Sequence, residues 1–228
     1  MTGVRNARRP RPPVAALYVD ELLFDMDGTL IDSIAAVEAA WKTLAEEEGI
    51  AVPFGAEFHG RTATDLVRSL VVPDRFRAVV RRLEELESSQ VGPVVGLPGS
   101  AELLARLPPN RWSIVTSAAR PVALARLAAA GLPMPTLLIT GDDVARGKPD
   151  PEAYLAGKRY SGHALAFEDT VAGLESARAA GCTTVAIVGT STAYELSPYA
   201  DFLVDSLASV TAEPVAGGVL QINLRLAA

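Results

Sequence analysis

Residues 22–33 read LLFDMDGTLIDS, in which an apolar run stops at two aspartates, a glycine and a threonine. The apolar run extends back to residue 18, and residues 18–24 have the length and composition of a buried strand. Gly28 is expected to permit a sharp turn directly after this strand, and Thr29 to hydrogen-bond the adjacent backbone. The stretch therefore predicts a strand that delivers Asp25 and Asp27 to a turn.

The second half of the chain alternates between short apolar runs and helical patterns. Helices over 121–130 and 170–180 are predicted to stop at Gly131 and Gly181, and strands are predicted at 111–116, 137–140, 164–167, 184–188 and 202–204. Strands that alternate with helices need crossover connections, which produce a parallel sheet. With strand 18–24 joining that sheet, the predicted fold class is α/β, with a Rossmann-like, doubly wound parallel sheet as its core.

Residues 33–95 show no run of the buried-strand kind. Apolar residues recur at helical spacing over 33–48, residues 50–92 are helical and polar in pattern, and GPVVGLPG at 92–99 is rich in turn formers. The pattern predicts an all-helical cap (33–95) inserted into a core formed by 18–32 and 96–228. Residues 1–17, which are rich in arginine and proline, are predicted to be a disordered basic tail. Alternation over 219–224 predicts an added edge strand.

Composition excludes several classes of function. The chain has 228 residues and a net charge of -6, whereas a general nucleic-acid binder needs a basic surface. No run reaches the roughly 20 apolar residues of a transmembrane helix, so no membrane partner is expected. The single Cys182 excludes an internal disulfide framework and a multi-cysteine zinc site. We expect a cytoplasmic monomer that acts on a small molecule.

Polar side chains follow the predicted strands where those strands end. In open parallel sheets, ligands bind at the carboxyl ends of the strands, so these side chains are expected to converge on one rim. They comprise two carboxylate pairs, two hydroxyls and an ammonium group: Asp25 and Asp27, Thr116 and Ser117, Lys148, and Glu168 and Asp169.

These residue types suit phosphoryl transfer. A phosphate monoester dianion repels an attacking carboxylate, so its charge must be neutralised by a divalent metal and a fixed cation. Magnesium prefers oxygen ligands. The predicted Mg²⁺ ligands are the carboxylates of Asp25, Glu168 and Asp169 and the carbonyl oxygen of Asp27. Lys148 is expected to supply the fixed cation.

The two aspartates of the first motif receive different roles. Asp25 is the predicted nucleophile, which forms an aspartyl-phosphate. Asp27 is predicted to give a proton to the leaving alkoxide and then to take one from the hydrolytic water. Thr116 is assigned to the catalytic machinery as a hydrogen-bond donor to the phosphoryl oxygens, and Gly28 and Ser117 are assigned to phosphate binding.

Each residue also has a purely structural interpretation. Acids after a strand commonly cap the next helix, a lone lysine is commonly a solvated charge, and a threonine at a strand end is commonly part of the strand. The combination favours a joint site, because four such positions fall at the same edge of one predicted sheet.

The order of these motifs resembles that of the haloacid dehalogenase superfamily, in its phosphatase branch. The resemblance rests on FDMDGTLIDS at 24–33, IVTS at 114–117, GKPDP at 147–151 and FEDTVAG at 167–173. It implies a Rossmann-like core with a helical cap inserted after the first motif. FHGRT at 58–62 and VVGLPG at 94–99 are similar to sugar-phosphate and glycerol-phosphate phosphatases, which implies that His59 and Arg61 contact the substrate.

Two alternatives stay open at this point. A phosphomutase related to beta-phosphoglucomutase would use the same aspartates, but those enzymes place an arginine in the cap near position 63, where this chain has Ala63. A non-catalytic phospho-acceptor signalling module would also combine an aspartate, a hydroxyl, a lysine and an acidic pair. Asp27 argues against that module, since a slow switch needs no general acid.

Overall fold

The computed structural model describes residues 13–51 and 63–227. His59, Arg61 and the arginine cluster of the N-terminal stretch lie outside these ranges. The described strands are β1 (Val14–Val19), β2 (Glu21–Phe24), β3 (Ile31–Asp32), β4 (Val95–Gly96), β5 (Trp112–Val115), β6 (Leu138–Ile139), β7 (Ala164–Glu168), β8 (Thr183–Ile187), β9 (Phe202–Val204), β10 (Val210–Pro214) and β11 (Leu220–Arg225). The described helices are α1 (Ile34–Glu48), α2 (Ala63–Leu70), α3 (Pro73–Ser89), α4 (Ser100–Leu104), α5 (Arg120–Ala129), α6 (Glu152–Gly157), α7 (Val171–Ala179) and α8 (Ala193–Leu196).

A six-stranded parallel sheet forms the core, in the order β6-β5-β2-β7-β8-β9. Every residue of β2, β5 and β7 is buried, as expected for parallel strands covered on both faces. The central strand β2 pairs with β5 on one side and β7 on the other, so Phe24 lies opposite both Ile114 and Phe167. The predicted Rossmann-like α/β core is confirmed, and β2 places the first motif at the middle of the sheet.

The predicted strand 18–24 is wrong in its boundaries, because two strands that belong to different sheets occupy it. β1 ends at Val19 and β2 begins at Glu21. Between them, Asp20 accepts a hydrogen bond from the backbone N–H of His163, at 2.8 Å. Glu21 is buried and accepts hydrogen bonds from the backbone N–H groups of Arg159 and Tyr160. Both acids thus satisfy the loop that leads into β7, which breaks the continuous strand.

A second, antiparallel sheet has the order β1-β11-β10. β11 lies in its centre, so the edge strand predicted at 219–224 is an interior strand of a separate sheet. Val14 pairs with Arg225, which makes residues 14–17 part of β1 and corrects the prediction that the disordered tail extends to residue 17. The partner strand is about 200 residues away in sequence, so no local pattern identifies this pairing.

The helical segment, defined here as residues 33–95, leaves and rejoins the core at one place. Asp32 pairs with Val95 and Ile31 with Gly96, so β3 and β4 hold the two ends together. Helices α1, α2 and α3 pack around their own apolar cluster, which is built on Trp41, Leu44, Val67, Val79 and Leu83. Within residues 13–51 and 63–227, no helix is long and apolar enough to cross a membrane.

Candidate active site

The site begins where β2 and β7 end side by side. Asp25 follows β2 directly and its backbone N–H donates to the carbonyl oxygen of Phe167, at 3.0 Å. Glu168 is the last residue of β7 and Asp169 is the next residue. Because the two strands are hydrogen-bonded neighbours, their terminal acids meet, and the side chains of Asp25, Glu168 and Asp169 are all buried.

Lys148 lies among these acids. Its ammonium group donates to Oδ1 of Asp25 and to Oε1 of Glu168, both at 2.6 Å. A third hydrogen bond goes to the carbonyl oxygen of Val115, at the end of β5 and 3.1 Å away. The lysine therefore connects the ends of three neighbouring strands, and its role as the fixed cation of the reaction stays a prediction.

The charges of this cluster depend on one another. Burial raises the pKa of Asp25 well above its ordinary value and the nearby Glu168 raises it further, while Lys148 lowers it. Burial acts against the charge of Lys148, but Asp25 and Glu168 outweigh it and hold the pKa of the lysine above its ordinary value. Lys148 is therefore charged at neutral pH and is the counter-ion of the cluster.

Glu168 is held from several directions. Its Oε1 accepts a second hydrogen bond from the hydroxyl of Tyr154, at 2.7 Å, and the hydroxyl of Thr170 lies 3.4 Å from Oε2. A Cβ on Gly173 would overlap with the Glu168 carboxylate, so this glycine leaves the space that the acid occupies. Much of the FEDTVAG motif thus places one buried carboxylate beside Lys148.

The three acids offer the oxygen ligands of a divalent cation. One carboxylate oxygen from each of Asp25, Glu168 and Asp169 lies within 4.8 Å of the other two. Oδ1 of Asp169 is buried and has no hydrogen-bond partner among the described residues. Burial, followed by the charge of Glu168, raises the pKa of Asp169 to about 7. Bound Mg²⁺ would satisfy this oxygen and favour the ionised carboxylate, so the donor set fits the predicted metal.

Gly28 makes the close approach of Asp169 possible. Its φ of +84° is a left-handed value that other residues rarely adopt. A Cβ at this position would overlap with Oδ2 of Asp169 and approach the hydroxyl of Thr190. The glycine of the first motif thus keeps the turn after Asp25 in contact with the acid that follows β7.

Asp27 faces a different set of partners from Asp25. Its Oδ1 accepts hydrogen bonds from the hydroxyl of Ser33, at 2.5 Å, and from Nη1 of Arg126, at 3.0 Å. Nη2 of Arg126 lies 3.3 Å from Oε1 of Glu87, which belongs to α3 of the helical segment. The Asp27 carboxylate is therefore separate from the acidic cluster of Asp25, Glu168 and Asp169. The Asp27 carbonyl oxygen as a metal ligand stays a prediction.

The hydroxyl residues after β5 complete the rim. Thr116 is buried, and its Oγ1 accepts a hydrogen bond from the backbone N–H of Ala118, at 3.1 Å. Ser117 is half-buried beside it. A cavity of about 100 Å³ brings together most of the predicted site residues: Asp25, Asp27, Gly28, Thr116, Ser117 and Asp169. Lys148 and Glu168 lie behind Asp25 and contact the site through it.

Three residues of the site region were not predicted from the sequence: Tyr154, Glu87 and Arg126. Arg126 carried a detectable signal, because Val122, Ala123, Arg126 and Leu127 form the buried stripe of α5. A charged residue on an apolar helical stripe normally has a buried partner. Tyr154 and Glu87 carried weaker signals, because a tyrosine or a glutamate in an amphipathic helix is ordinary.

Comparisons with known proteins agree with this geometry. The model of the haloacid dehalogenase-like hydrolase family matches residues 19–181. Hexitol phosphatase A of Escherichia coli (strain K12) is 38% identical over 201 residues, which cover 83% of this chain and 92% of that protein. Glycerol-1-phosphate phosphohydrolase 2 of Saccharomyces cerevisiae is 31% identical over 208 residues, which cover 82% of this chain and 79% of the relative.

A solved structure is similar over the same region. A hydrolase from Pseudomonas syringae superposes with a TM-score of 0.72 at 26% identity, and the match covers 82% of this chain and 94% of the other. The family model spans both the strand-end acids and Lys148, which are the residues that the fold brings together. The chain belongs to the haloacid dehalogenase-like hydrolase family.

Proposed function

We propose that this protein is a magnesium-dependent phosphatase that hydrolyses a sugar or polyol phosphate through a phosphorylated Asp25. The observation that carries the proposal is the buried Asp25 carboxylate, which lies 2.6 Å from the Lys148 ammonium and lines the same cavity as Asp169 and Thr116. The relatives named for hexitol and glycerol-1-phosphate support this substrate class.

Asp25 and Asp169, with Glu168 and the Asp27 carbonyl oxygen as further donors, would hold the magnesium ion. When bound, the ion supplies positive charge that neutralises the phosphate oxygens. Lys148 contributes a second positive charge without moving, since its three hydrogen bonds fix the ammonium group. These charges reduce the repulsion between the phosphate dianion and the attacking carboxylate.

Asp25 acts as the nucleophile. Lys148 occupies its Oδ1, which leaves the other carboxylate oxygen to form a bond with phosphorus while the bond to the substrate's ester oxygen breaks. The Thr116 hydroxyl and the backbone amides directly after Asp25 donate to the phosphoryl oxygens, and Gly28 and Ser117 line the same cavity. The Gly28 N–H itself donates to the carbonyl oxygen of Ile31, so this glycine shapes the phosphate site through its turn. The product of this step is an aspartyl-phosphate and an alcohol.

Asp27 acts first as the general acid and then as the general base. It gives a proton to the leaving alkoxide in the first step, and its carboxylate then takes one from the water that attacks phosphorus. The second step breaks the bond between Asp25 and phosphorus and releases inorganic phosphate. Asp27 fits this work because it lies two residues beyond the nucleophile, lines the cavity and is partly exposed, with a side-chain accessibility of 29%.

The helical segment is proposed to act as a cap over the cavity. Seven of its described residues line the cavity: Ser33, Ile34, Val37, Trp41, Ala63, Leu66 and Glu87. His59 and Arg61, which lie outside the described residues, are proposed to contact the leaving group. A monomer in the cytoplasm, where small phosphorylated metabolites are found, fits this activity.

The test is phosphate release by purified protein with Mg²⁺ from hexitol phosphates, glycerol phosphates, sugar phosphates and nucleotides. We expect release from the polyol or sugar phosphates, a loss of about 10⁴-fold or more in Asp25→Asn, and a loss of about 10²-fold or more in Asp27→Asn. Asp205→Asn is the matched control, because Asp205 is exposed and does not line the cavity.

Two outcomes would favour the alternatives. Isomerised sugar phosphate without free phosphate would indicate the phosphomutase. A stable phosphorylated protein with no turnover of any substrate would indicate the signalling module. Retention of the full rate by Asp25→Asn would end the phosphatase proposal in its present form.

A further inference from the structure

A chain of buried charges joins the helical segment to the proton donor. Arg126 of α5 lies with one nitrogen 3.0 Å from the Asp27 carboxylate and another 3.3 Å from that of Glu87. Glu87 belongs to α3, which packs against α5. The side chain of Arg126 is only 4% exposed and that of Glu87 only 8%. We call these three residues the charge bridge.

The bridge is fixed at both ends. Glu87 also accepts a hydrogen bond from the side chain of Trp41, so two residues orient its carboxylate. Asp27 also accepts from Ser33. Burial acts against the charge of Arg126, but Asp27 and Glu87 outweigh it and hold the pKa of the arginine above its ordinary value. Arg126 therefore stays charged and keeps both acids at defined positions.

Core stability alone is a weak explanation for such a bridge. Replacing a buried ion pair by apolar residues of similar size commonly leaves stability unchanged or higher. Arg126 lines the cavity, but its ionic partners are Asp27 and Glu87 rather than Asp25 or Asp169. A planar guanidinium can bind two acids in different directions, which a lysine ammonium on a flexible stem does less well.

We propose that Arg126 is a positioning residue for Asp27, and that Glu87 holds Arg126 so that the placement of α3 sets the placement of the proton donor. This inference rests on the proposed function, in which Asp27 protonates the leaving oxygen. Through the bridge, the helical segment and the first motif adopt their working positions together. Phosphate binding and nucleophilic attack do not depend on the bridge.

The dependence of kcat/KM on the leaving group distinguishes a positioning role of Arg126 from a purely structural one. An alkoxide needs a proton when it leaves, whereas nitrophenolate is stable without one, so a misplaced Asp27 penalises alkyl phosphates and largely spares aryl phosphates. The ratio kcat/KM reports the reaction up to release of the alcohol, which is the step that needs the acid. A general loss of folding or of phosphate binding lowers kcat/KM for both kinds of substrate alike.

The experiment measures kcat/KM for glycerol-1-phosphate, propyl phosphate and p-nitrophenyl phosphate with Mg²⁺. The variants are Arg126→Met, Arg126→Lys, Glu87→Gln and the double variant Arg126→Met/Glu87→Leu, with Asp27→Asn as the reference. Arg178→Met is the control, because Arg178 is an exposed arginine of α7. Far-ultraviolet circular dichroism and thermal unfolding establish which variants fold.

We expect Arg126→Met to lower kcat/KM about 10²-fold for both alkyl phosphates. For the aryl phosphate the loss should be no more than about 10-fold. Arg126→Lys and Glu87→Gln should show the same dependence on the leaving group with smaller losses, and Arg178→Met should show none. If Arg126→Met does not fold, the double variant, which leaves no unpaired Glu87, takes its place and should show the same preference for the aryl substrate.

Four results would overturn the inference. An equal loss on all three substrates would assign Arg126 to the scaffold or to phosphate binding. A loss on glycerol-1-phosphate alone would make the bridge a site for substrate hydroxyls, because propyl phosphate has none. A leaving-group effect in Asp27→Asn but not in the Arg126 variants would refute the inference and spare the proposed function. No effect in Asp27→Asn itself would refute the proposed acid, and the inference with it.

Discussion

The two walls of the cavity differ in how they are built. At the strand ends, Asp25 and Asp169 line the wall, and the buried Lys148 and Glu168 lie behind Asp25. The wall from the helical segment is mainly apolar, with Ile34, Val37, Trp41, Ala63 and Leu66, and within the described lining Glu87 is its charged member. Under the proposed function, the residues that act on phosphate belong to the sheet, whereas the helices supply the shape of the cavity and exclude water.

The two walls also differ in what holds them. Strand β2 is hydrogen-bonded to neighbours on both sides, so a charge at its end has a fixed backbone behind it. The helices α1, α2 and α3 are held to one another by side-chain packing and rejoin the core through the short pair β3–β4. A rigid wall suits the reaction that every substrate shares, and a separately packed wall suits the part that differs between substrates.

The largest effect is expected from Lys148→Met, which breaks the charged wall. We expect kcat/KM to fall about 10³-fold for alkyl and aryl phosphates alike, because a fixed positive charge near the phosphate is lost. The change also leaves Asp25 and Glu168 buried without their counter-ion, which should destabilise the metal-free protein by about 3–5 kcal/mol. Steady-state kinetics with both substrates and chemical denaturation measure the two effects.

Lys42→Met is the matched control for this variant, because Lys42 is exposed on α1. It should change neither quantity appreciably. A Lys148→Met loss confined to alkyl phosphates would contradict the assignment, since it would move the lysine from charge neutralisation to proton transfer.

A smaller effect on stability is expected when Mg²⁺ is removed. In the metal-free protein the pKa of Asp169 is about 7, so between its ordinary value and about 7 the folded state keeps a proton that the unfolded chain has lost. Stability of the metal-free protein should therefore fall as pH rises through this window. Because Mg²⁺ needs the ionised carboxylate, saturating metal should raise Tm by about 5 °C at pH 8 and by less at pH 6.

Thermal unfolding with Mg²⁺, and with sodium chloride of equal ionic strength, measures this linkage. Asp169→Asn should abolish the dependence on Mg²⁺, because the amide binds the cation poorly. A metal effect that is equal at pH 6 and pH 8, or one that survives in Asp169→Asn, would mean that the stabilising cation binds elsewhere.

The smallest effect is expected on the apolar wall, from Val37→Ala. Val37 is half-buried and lines the cavity on the helical side. Removing two methyl groups should change kcat/KM by about 3–10-fold, by an amount that depends on the leaving group. The inhibition constant of inorganic phosphate should stay within about 2-fold, since the proposed phosphate site is the charged wall.

Val80→Ala is the control, because Val80 is also half-buried in the helical segment but does not line the cavity. If Val37→Ala weakened phosphate inhibition as strongly as it changed kcat/KM, the two walls would not divide the work as proposed.

Much of the candidate site could be predicted, because its signals are local. Asp25, Lys148 and Asp169 each follow a strand or precede a helix in a short motif, and parallel strand ends must meet at one edge. The bounds of β2 and β1 could not be predicted, since they depend on distant partners: β1 pairs with β11, and Asp20 and Glu21 accept hydrogen bonds from a loop near residue 160. The charge bridge was missed for the same reason: Arg126 and Asp27 are 99 residues apart.

The sequence by itself determined the α/β class, the order of the strands along the chain and the acids, hydroxyls and lysine that lie at their ends, because alternation, turn formers and motif spacing are properties of neighbouring residues. Only the tertiary structure decided that Lys148 binds two acids at once, that β11 fills the centre of a second sheet, and that Arg126 joins Asp27 to Glu87. Each of these contacts joins residues far apart in the chain. Packing defines these contacts, because a buried charge is stable only beside a partner that neutralises it.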